Sequence, residues 1–506
     1  MNNKKALSIK ETFDLAIQKH QNNNLQDAQS YYQKVLELDP NYVDAHYNLG
    51  NIFNSQGEYQ KAKDCFEKAI ETDPNNANAH NNLGVVFEAL SEYQKAKDCY
   101  EKAIEINPNY SSGHYNLGNI FNSQGEYQKA KDCFEKVIEI DPNNAKAHNN
   151  LGVIFKELRQ YQKAKDCYEK AIEINPNYAK AHNNLGVIFQ ELGEDQKAKD
   201  CYGKAIKINP DYVDAYNNLG GMLQELGEIQ KAKDCFEKAI KINPNHTVSY
   251  WNSHSLASSM DEALSILKKL YKIDNKYTKA KITISALECY KGNFDKINEI
   301  FNSSESNHPH ARSVRWVLSL PKLPSVFFNR YSFFDAVIAL TDNSRPFYEF
   351  GVWKGISFRY LINTFKKGFG FDTFTGLPEE WHNVPKGQYS AFGEVPKING
   401  GEFIVGKFED TLPKFFSKKK PIASLINFDA DLYSSTLCAL NHSNKVIDEK
   451  TILVFDEFII NNRWEEDEFK ALNEFCDNLG FSYEVIAISF FTKQVAVRLN
   501  KLERVL

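Results

Sequence analysis

The sequence predicts two architectures in series: an α-solenoid of helix pairs, then an α/β domain on an open, mostly parallel sheet of seven strands. Three observations predict this. Six of the nine cysteines fall at positions 65, 99, 133, 167, 201 and 235, each 34 residues after the last. Prolines keep the same beat from Pro40 through Pro74, Pro108, Pro142, Pro176 and Pro210 to Pro244, and so do glycines from Gly50 to Gly220. Beyond Arg345 the beat is gone, and short apolar runs alternate with helical stretches, the pattern of a sheet covered by helices.

Composition bounds the rest. With 506 residues the chain has room for roughly three domains at about 150 residues each. Charged residues make up 25% and hydrophobic ones 42%, which excludes wholesale disorder and a collagen-like chain. The 61 basic and 66 acidic residues leave a net charge of −5, no basis for binding nucleic acid or an anionic membrane. Met1 to Lys10 is not followed by an apolar run of signal-peptide length, and no stretch approaches the roughly eighteen apolar residues of a membrane span. A cytoplasmic protein is the expectation.

Within one period, Val43 to Asn76, Leu49, Gly50 and Phe53 share one helical face, and Ala62, Phe66 and Ala69 form a second apolar stripe. Gly57-Glu58 turns the chain between them. Asp73-Pro74 ends the second helix, because proline cannot continue it. Period and small-large-small pattern closely resemble the tetratricopeptide repeat, in seven units spanning residues 9–246. Residues 247–302 read as degenerate helical repeats that cap the stack. The resemblance implies binding of a protein or an extended peptide. In similar solenoids an asparagine two residues before the glycine holds a peptide backbone, which makes Asn48, Asn82, Asn116, Asn150, Asn184 and Asn218 candidate groove residues. The same amides could instead bond between helices. The repeated cysteines, about 10 Å apart or more in neighbouring helix pairs, are too distant for disulfides, which need Cα atoms within about 7 Å; they read as small apolar filler.

Residues 303–344, with Pro309, Pro321 and Pro324, read as a connector. His308 and His310 flank Pro309 without a third ligand spaced to join them.

The seven strand candidates are Phe347 to Val352, Phe369 to Asp372, Glu402 to Val405, Ala423 to Phe428, Thr451 to Phe455, Tyr483 to Ser489 and Gln494 to Leu499. Ligands on such sheets bind at the carboxyl ends of the strands, near the switch in strand order. The first run ends in Glu349-Phe-Gly351-Val-Trp-Lys-Gly355, whose glycines let a ligand approach the backbone, and Asp372 closes the second run where ribose hydroxyls could donate to it. The spacing is not that of a dinucleotide loop. It resembles the first motif of class I S-adenosylmethionine-dependent methyltransferases, which have a Rossmann-like sheet.

Later motifs narrow this resemblance. Phe371-Asp-Thr-Phe-Thr-Gly-Leu-Pro378, Gly406-Lys-Phe-Glu-Asp-Thr-Leu-Pro413, Asp429-Ala-Asp-Leu-Tyr-Ser-Ser-Thr436 and Val454-Phe-Asp-Glu-Phe458 are similar, in the same order, to the signatures of the macrocin O-methyltransferase family. The match occupies most of a domain at 345–500. It implies S-adenosyl-L-methionine as methyl donor, with Glu349, Gly351, Gly355, Asp372 and Phe408 toward it. It also implies a divalent metal, magnesium, on Asp429, Asp456 and Glu457, with Asp429 as the catalytic base. The family more often has Asp-Asp where this chain has Asp456-Glu457. Read from the residues alone, Asp429, Asp431, Asp456 and Glu457 converge at one sheet edge and would repel one another without a cation. Asp431 reads equally as a helix cap, Glu349 as a structural acid and Phe408 as core.

About thirty residues between Asp372 and Glu402, rich in glycine and proline, read as a lid carrying Trp381 and Tyr389. The resulting expectation is an enzyme that methylates a hydroxyl, with a sugar or glycan as favoured acceptor, while the solenoid recruits a protein. The alternative is a scaffold whose methyltransferase-like domain binds the cofactor without catalysis.

Overall fold

The computed structural model describes residues 8–382, 384, 386–387, 390–391 and 393–501, so Tyr389 of the expected lid lies outside the described residues. The chain divides into two compact units, one up to Ile208 and one from Asn209.

The first unit is a run of helix pairs: Ile9–Gln21 with Leu25–Leu38, Val43–Ser55 with Tyr59–Thr72, Ala77–Ala89 with Tyr93–Ile106, Ser111–Ser123 with Tyr127–Ile140, Ala145–Glu157 with Tyr161–Ile174, and Ala179–Glu191 with Asp195–Ile208. Ala62, Phe66 and Ala69 are fully buried on the second helix of their pair. The ring lies against the backbone of the first helix: a Cβ added at Gly50 would meet Phe66 at 2.8 Å, and one at Gly84 would meet Tyr100 at 2.6 Å. Glycine is therefore needed at this beat for packing, because no side chain fits between helix and ring. In five successive pairs a histidine ties the first helix to the turn before it. His46 Nε2 is 2.8 Å from the Pro40 carbonyl oxygen, and His80, His114, His148 and His182 make the same contact with Pro74, Pro108, Pro142 and Pro176.

The second unit begins with a seventh pair, Val213–Glu225 with Ile229–Ile242, followed by Thr247–His254, Met260–Ile273, Thr278–Cys289 and Asp295–Phe301. These later helices share their core with the sheet. Ile282, Ala286, Ile297 and Ile300 belong to one cluster with Tyr348, Phe350 and Phe428, and Leu264, Leu267 and Ala280 pack with Phe328.

The segment read as a connector is folded. Pro309 opens the helix Pro309–Leu318, where its missing N–H costs nothing, and the His308 side chain accepts from the His310 amide at 3.2 Å. His308 thus acts as a cap. A short strand, Ser325–Phe327, and a helix, Arg330–Ile338 capped by Asn329, complete the segment.

The sheet has eight strands where seven were expected: β1 (Ser325–Phe327), β2 (Phe347–Phe350), β3 (Gly368–Asp372), β4 (Gly401–Val405), β5 (Leu425–Phe428), β6 (Ile452–Phe455), β7 (Phe481–Ser489) and β8 (Val495–Lys501). Their order is β1-β7-β8-β6-β5-β2-β3-β4. The sheet is mixed, since β8 runs antiparallel to both β6 and β7 while the other pairs are parallel. With three residues, β1 is too short to show an alternation in sequence, and its pairing with β7 defines it. Alternate residues feed two cores. Phe347, Leu425, Ile452 and Val454 face the helices Arg330–Ile338 and Ile356–Phe365, whereas Tyr348, Ile426, Leu453 and Phe455 face Phe408–Phe415 and Glu468–Leu479.

Candidate functional site

β2 lies between β3 and β5 in the sheet, so the chain leaving β2 turns toward β3 and the chain leaving β5 toward β6, a switch in strand order that sets a crevice at the strand ends. A cavity of about 240 Å³ lies there. A row of stacked rings precedes it: Phe350 pairs with Phe371 (4.8 Å) and Phe428 (5.4 Å), and Phe428 with Phe455 (4.9 Å). Each ring is the last apolar residue of its strand, and the next residue in each case, Gly351, Asp372, Asp429 or Asp456, lines the cavity.

Gly351 adopts φ +89°, and a Cβ there would come within 1.8 Å of the Asp429 carbonyl oxygen. No other residue permits this contact between the two loops. Asp372 holds the same loop from the other side. Its Oδ2 accepts from the amides of Val352 (2.8 Å) and Trp353 (2.7 Å), and its Oδ1 from that of Phe374 (2.6 Å). Gly355 starts the helix Ile356–Phe365 at φ +73° and sits against Pro396 and Ile398, outside the cavity wall. Phe408 lines the cavity and packs edge-on against Phe350 at 5.7 Å.

Glu349 is buried behind the wall, with Oε2 lacking a hydrogen-bond partner. Burial pushes its carboxyl well above the usual range; Arg330 opposes this, and Asp456 and Asp372 reinforce it.

The expected acids do converge. Asp429, Asp431, Asp456 and Glu457 all line the cavity. Burial raises Asp429 well above the carboxylate range, with Asp456 adding to it and Arg330 opposing. Asp431 is raised likewise by burial, then by Glu457 and Asp456. Glu468, buried beneath, is raised by burial and by Asp431, and its Oε1 has no partner.

The three-acid magnesium set does not fit. Asp456 Oδ2 accepts from Arg330 Nη2 at 2.7 Å, and its Oδ1 accepts from Gln494 Nε2 at 2.6 Å. Both Glu457 oxygens accept from Lys493 Nζ, at 2.9 and 2.7 Å. Two of the three ligands therefore have both oxygens engaged by protein donors. Among the described residues no three histidine, cysteine or acidic side chains are grouped to hold a metal. Arg330 and Lys493 carried no motif signal, because one precedes the recognised region and the other lies in the β7–β8 turn. Trp381 of the expected lid lines the cavity, and the neighbouring His382 Nε2 lies 2.9 Å from Asp467 Oδ2.

In the helix pairs, the asparagine ladder bonds from repeat to repeat. Asn82 Nδ2 donates to Tyr47 Oη (3.2 Å) and Asn51 Oδ1 (2.8 Å), and Asn150 repeats this with Tyr115 and Asn119. Asn116 donates to Asn81, and Asn184 to Asn149. Asn48 and Asn218 hold the equivalent sequence places. Both donor hydrogens of Asn82 and of Asn150 are thus engaged before any partner arrives. The neighbouring Asn81, Asn149 and Asn183, absent from the expected set, are buried partners in this ladder. The nine cysteines are free, and burial pushes the Cys65 thiol up to about 11 and that of Cys167 to about 12.

The tetratricopeptide repeat model matches residues 43–76, 77–110, 111–144, 145–178, 179–212 and 213–246, and a second TPR repeat model matches 18–53. Residues 18–246 form a tetratricopeptide repeat array. Neither model reaches beyond residue 246, and no curated protein matches the chain. Among solved structures, the chain is similar to MamA (30% identity, 33% of this chain and 96% of that one, TM-score 0.31). It is also similar to YrrB, described as a TPR protein with an unusual peptide-binding site (27% identity, 36% and 95%, TM-score 0.31). A third is pilF of Pseudomonas aeruginosa (21% identity, 41% and 94%, TM-score 0.38). The tetratricopeptide repeats imply protein or peptide binding for the array. Among the described residues no helix is long and apolar enough to cross a membrane.

Proposed function

We infer that the C-terminal domain transfers the sulfonium methyl of S-adenosylmethionine to a hydroxyl, with a sugar or glycan as the favoured acceptor, while the repeat array holds a protein or peptide partner. One observation carries the reading: the residues ending four adjacent strands, Gly351, Asp372, Asp429 and Asp456, line a single cavity at the switch in strand order. The donor supplies an electrophilic methyl on a positively charged sulfur. Gly351 leaves the backbone bare where that donor approaches, and Asp372 fixes the glycine loop through the amides of Val352 and Trp353. Asp429 faces the acceptor. Its carboxylate takes the hydroxyl proton as the oxygen lone pair forms the new C–O bond, and the electrons of the C–S bond remain on sulfur, leaving the neutral thioether. Alignment of oxygen, methyl and sulfur supplies most of the acceleration for such a displacement.

The test is equilibrium binding of S-adenosylmethionine combined with transfer of labelled methyl to fractionated extract. Asp429→Ala is expected to abolish transfer while leaving donor affinity nearly intact. Undiminished transfer in that variant removes the assigned base. Donor binding by the wild type without transfer to any fraction favours the cofactor-sensing scaffold.

A further inference from the structure

Asp429, Asp431, Asp456 and Glu457 meet at the cavity, and a positive group among them relieves their mutual repulsion. The chain itself provides it. Arg330 enters from the first position of its helix, where Asn329 accepts from the Ser332 amide at 2.9 Å and fixes the helix start. Its Nη2 bonds Asp456, and its Nη1 lies 3.4 Å from Ser357 Oγ, in the first turn of the helix that follows the glycine loop. Lys493 enters from the β7–β8 turn, held at φ +64°, beside Gln494, which is fully buried and bonded to the remaining oxygen of Asp456. Each contact is part-buried and anchored by its own element.

Resting on the methyl-transfer reading, we propose that this site works without a divalent metal, with Arg330 and Lys493 as its resident cations holding Asp456 and Glu457, and Asp429 and Asp431 left to face donor and acceptor. Magnesium demands near-octahedral oxygen ligands at about 2.0–2.1 Å and gives up its waters reluctantly. To bind here it would have to displace a guanidinium and an amide from one ligand and an ammonium from the next, then sit beside both displaced cations. Arg330 acts as a positioning residue, joining the acids to the helix behind the glycine loop.

Manganese(II), the paramagnetic stand-in for magnesium, is titrated into the full-length wild-type chain and into Arg330→Met/Lys493→Met, with electron paramagnetic resonance reading the free ion. The wild type is expected to show no stoichiometric site below about 1 mM, the weak end of protein cation sites. The double variant, with its acids released, is expected to bind at least about tenfold more tightly, through Asp429 and its neighbours. One ion per wild-type chain bound more tightly than that limit, and lost in Asp429→Asn, overturns the proposal whether or not the double variant folds. A folded double variant that still binds no manganese overturns the role given to the two cations. This readout needs no turnover, so it is independent of the methyl-transfer assay. If transfer is found, an excess of chelator should leave its rate unchanged, and a loss restored by magnesium again overturns the proposal.

Discussion

Replacing Gly351 by alanine tests whether the loops after β2 and β5 really touch. The added Cβ would lie 1.8 Å from the Asp429 carbonyl oxygen, whereas real Cβ atoms stay beyond 3.0 Å, so one loop must retreat by about 1.2 Å. The residue must also leave or endure φ +89°, a left-handed conformation that costs an alanine about 1–2 kcal/mol. Retreat endangers the Gly351 amide bond to the Phe371 carbonyl, 2.9 Å long, worth about 1 kcal/mol. Together these destabilise the domain by about 3 kcal/mol. Gly57→Ala is the control: Gly57 has φ +75° but nothing within 4 Å of its added Cβ, so strain acts alone at about 1 kcal/mol.

The assay follows from residue placement. All five tryptophans, Trp251, Trp316, Trp353, Trp381 and Trp464, lie after residue 208, so thermal unfolding followed by indole emission reports on the second unit alone. Far-ultraviolet circular dichroism follows Gly57→Ala in the helical first unit. At about 2–4 °C per kcal/mol, Gly351→Ala should lower the tryptophan transition by roughly 6–12 °C. A fall no larger than that of Gly57→Ala in its own unit would refute the close approach and, with it, the geometry that forms the cavity.

Ser91 and Arg159 occupy the left-handed turn place that Gly57, Gly125 and Gly193 fill in other repeats, at φ +62° and +56°. Ser91→Gly and Arg159→Gly should each stabilise the array by about 0.5–1 kcal/mol, and a lowered circular dichroism midpoint would contradict this. Burial pushes His254 down to about 4 and His310 to about 3, the latter helped by His308 and Lys279. Their folded pKa values lie below the unfolded one, so their stabilisation is complete above about pH 6.5 and lost as pH falls toward 4. Each should cost about 2 kcal/mol between pH 7 and pH 5; His254→Gln/His310→Gln should flatten the tryptophan-detected stability slope over that window, and an unchanged slope would count against the burial argument. With thiols raised to about 11 in Cys65 and Cys133 and about 12 in Cys99 and Cys167, the repeat cysteines should react with a thiol reagent at pH 8 only as the array unfolds. Prompt reaction of the native chain would show them to be exposed nucleophiles.

What could be read from the sequence was local and periodic. The 34-residue beat placed Gly50 opposite Phe66, because a repeat displays the same contact many times over. Seven strands were visible because each is an apolar run, and in each of β2, β3, β5 and β6 the last apolar residue is a phenylalanine followed by a residue of the cavity wall. The eighth, Ser325–Phe327, is only three residues long and gains its identity from Ile488 across the sheet. The asparagine ladder had two readings because an amide that can hold a peptide backbone can equally hold the next repeat. The bonds from Asn82 to Tyr47 and Asn51 show the second in place.

The acids of the site were also legible, since strand ends expose them at predictable places, and so was their need for a positive neighbour. The identity of that neighbour was not. Arg330 is 126 residues from Asp456 in a stretch read as a connector, and Lys493 is 36 residues beyond Glu457 in a hairpin turn. A motif is a statement about adjacent residues, whereas charge compensation acts through space. When a motif presents several carboxylates, a metal is only one way to satisfy them. A guanidinium brought in by a distant helix satisfies the same electrostatics, and it changes what the chemistry requires of solution conditions. The Arg330–Asp456 ion pair, 2.7 Å long, occupies an acid that the family resemblance reads as open to a metal.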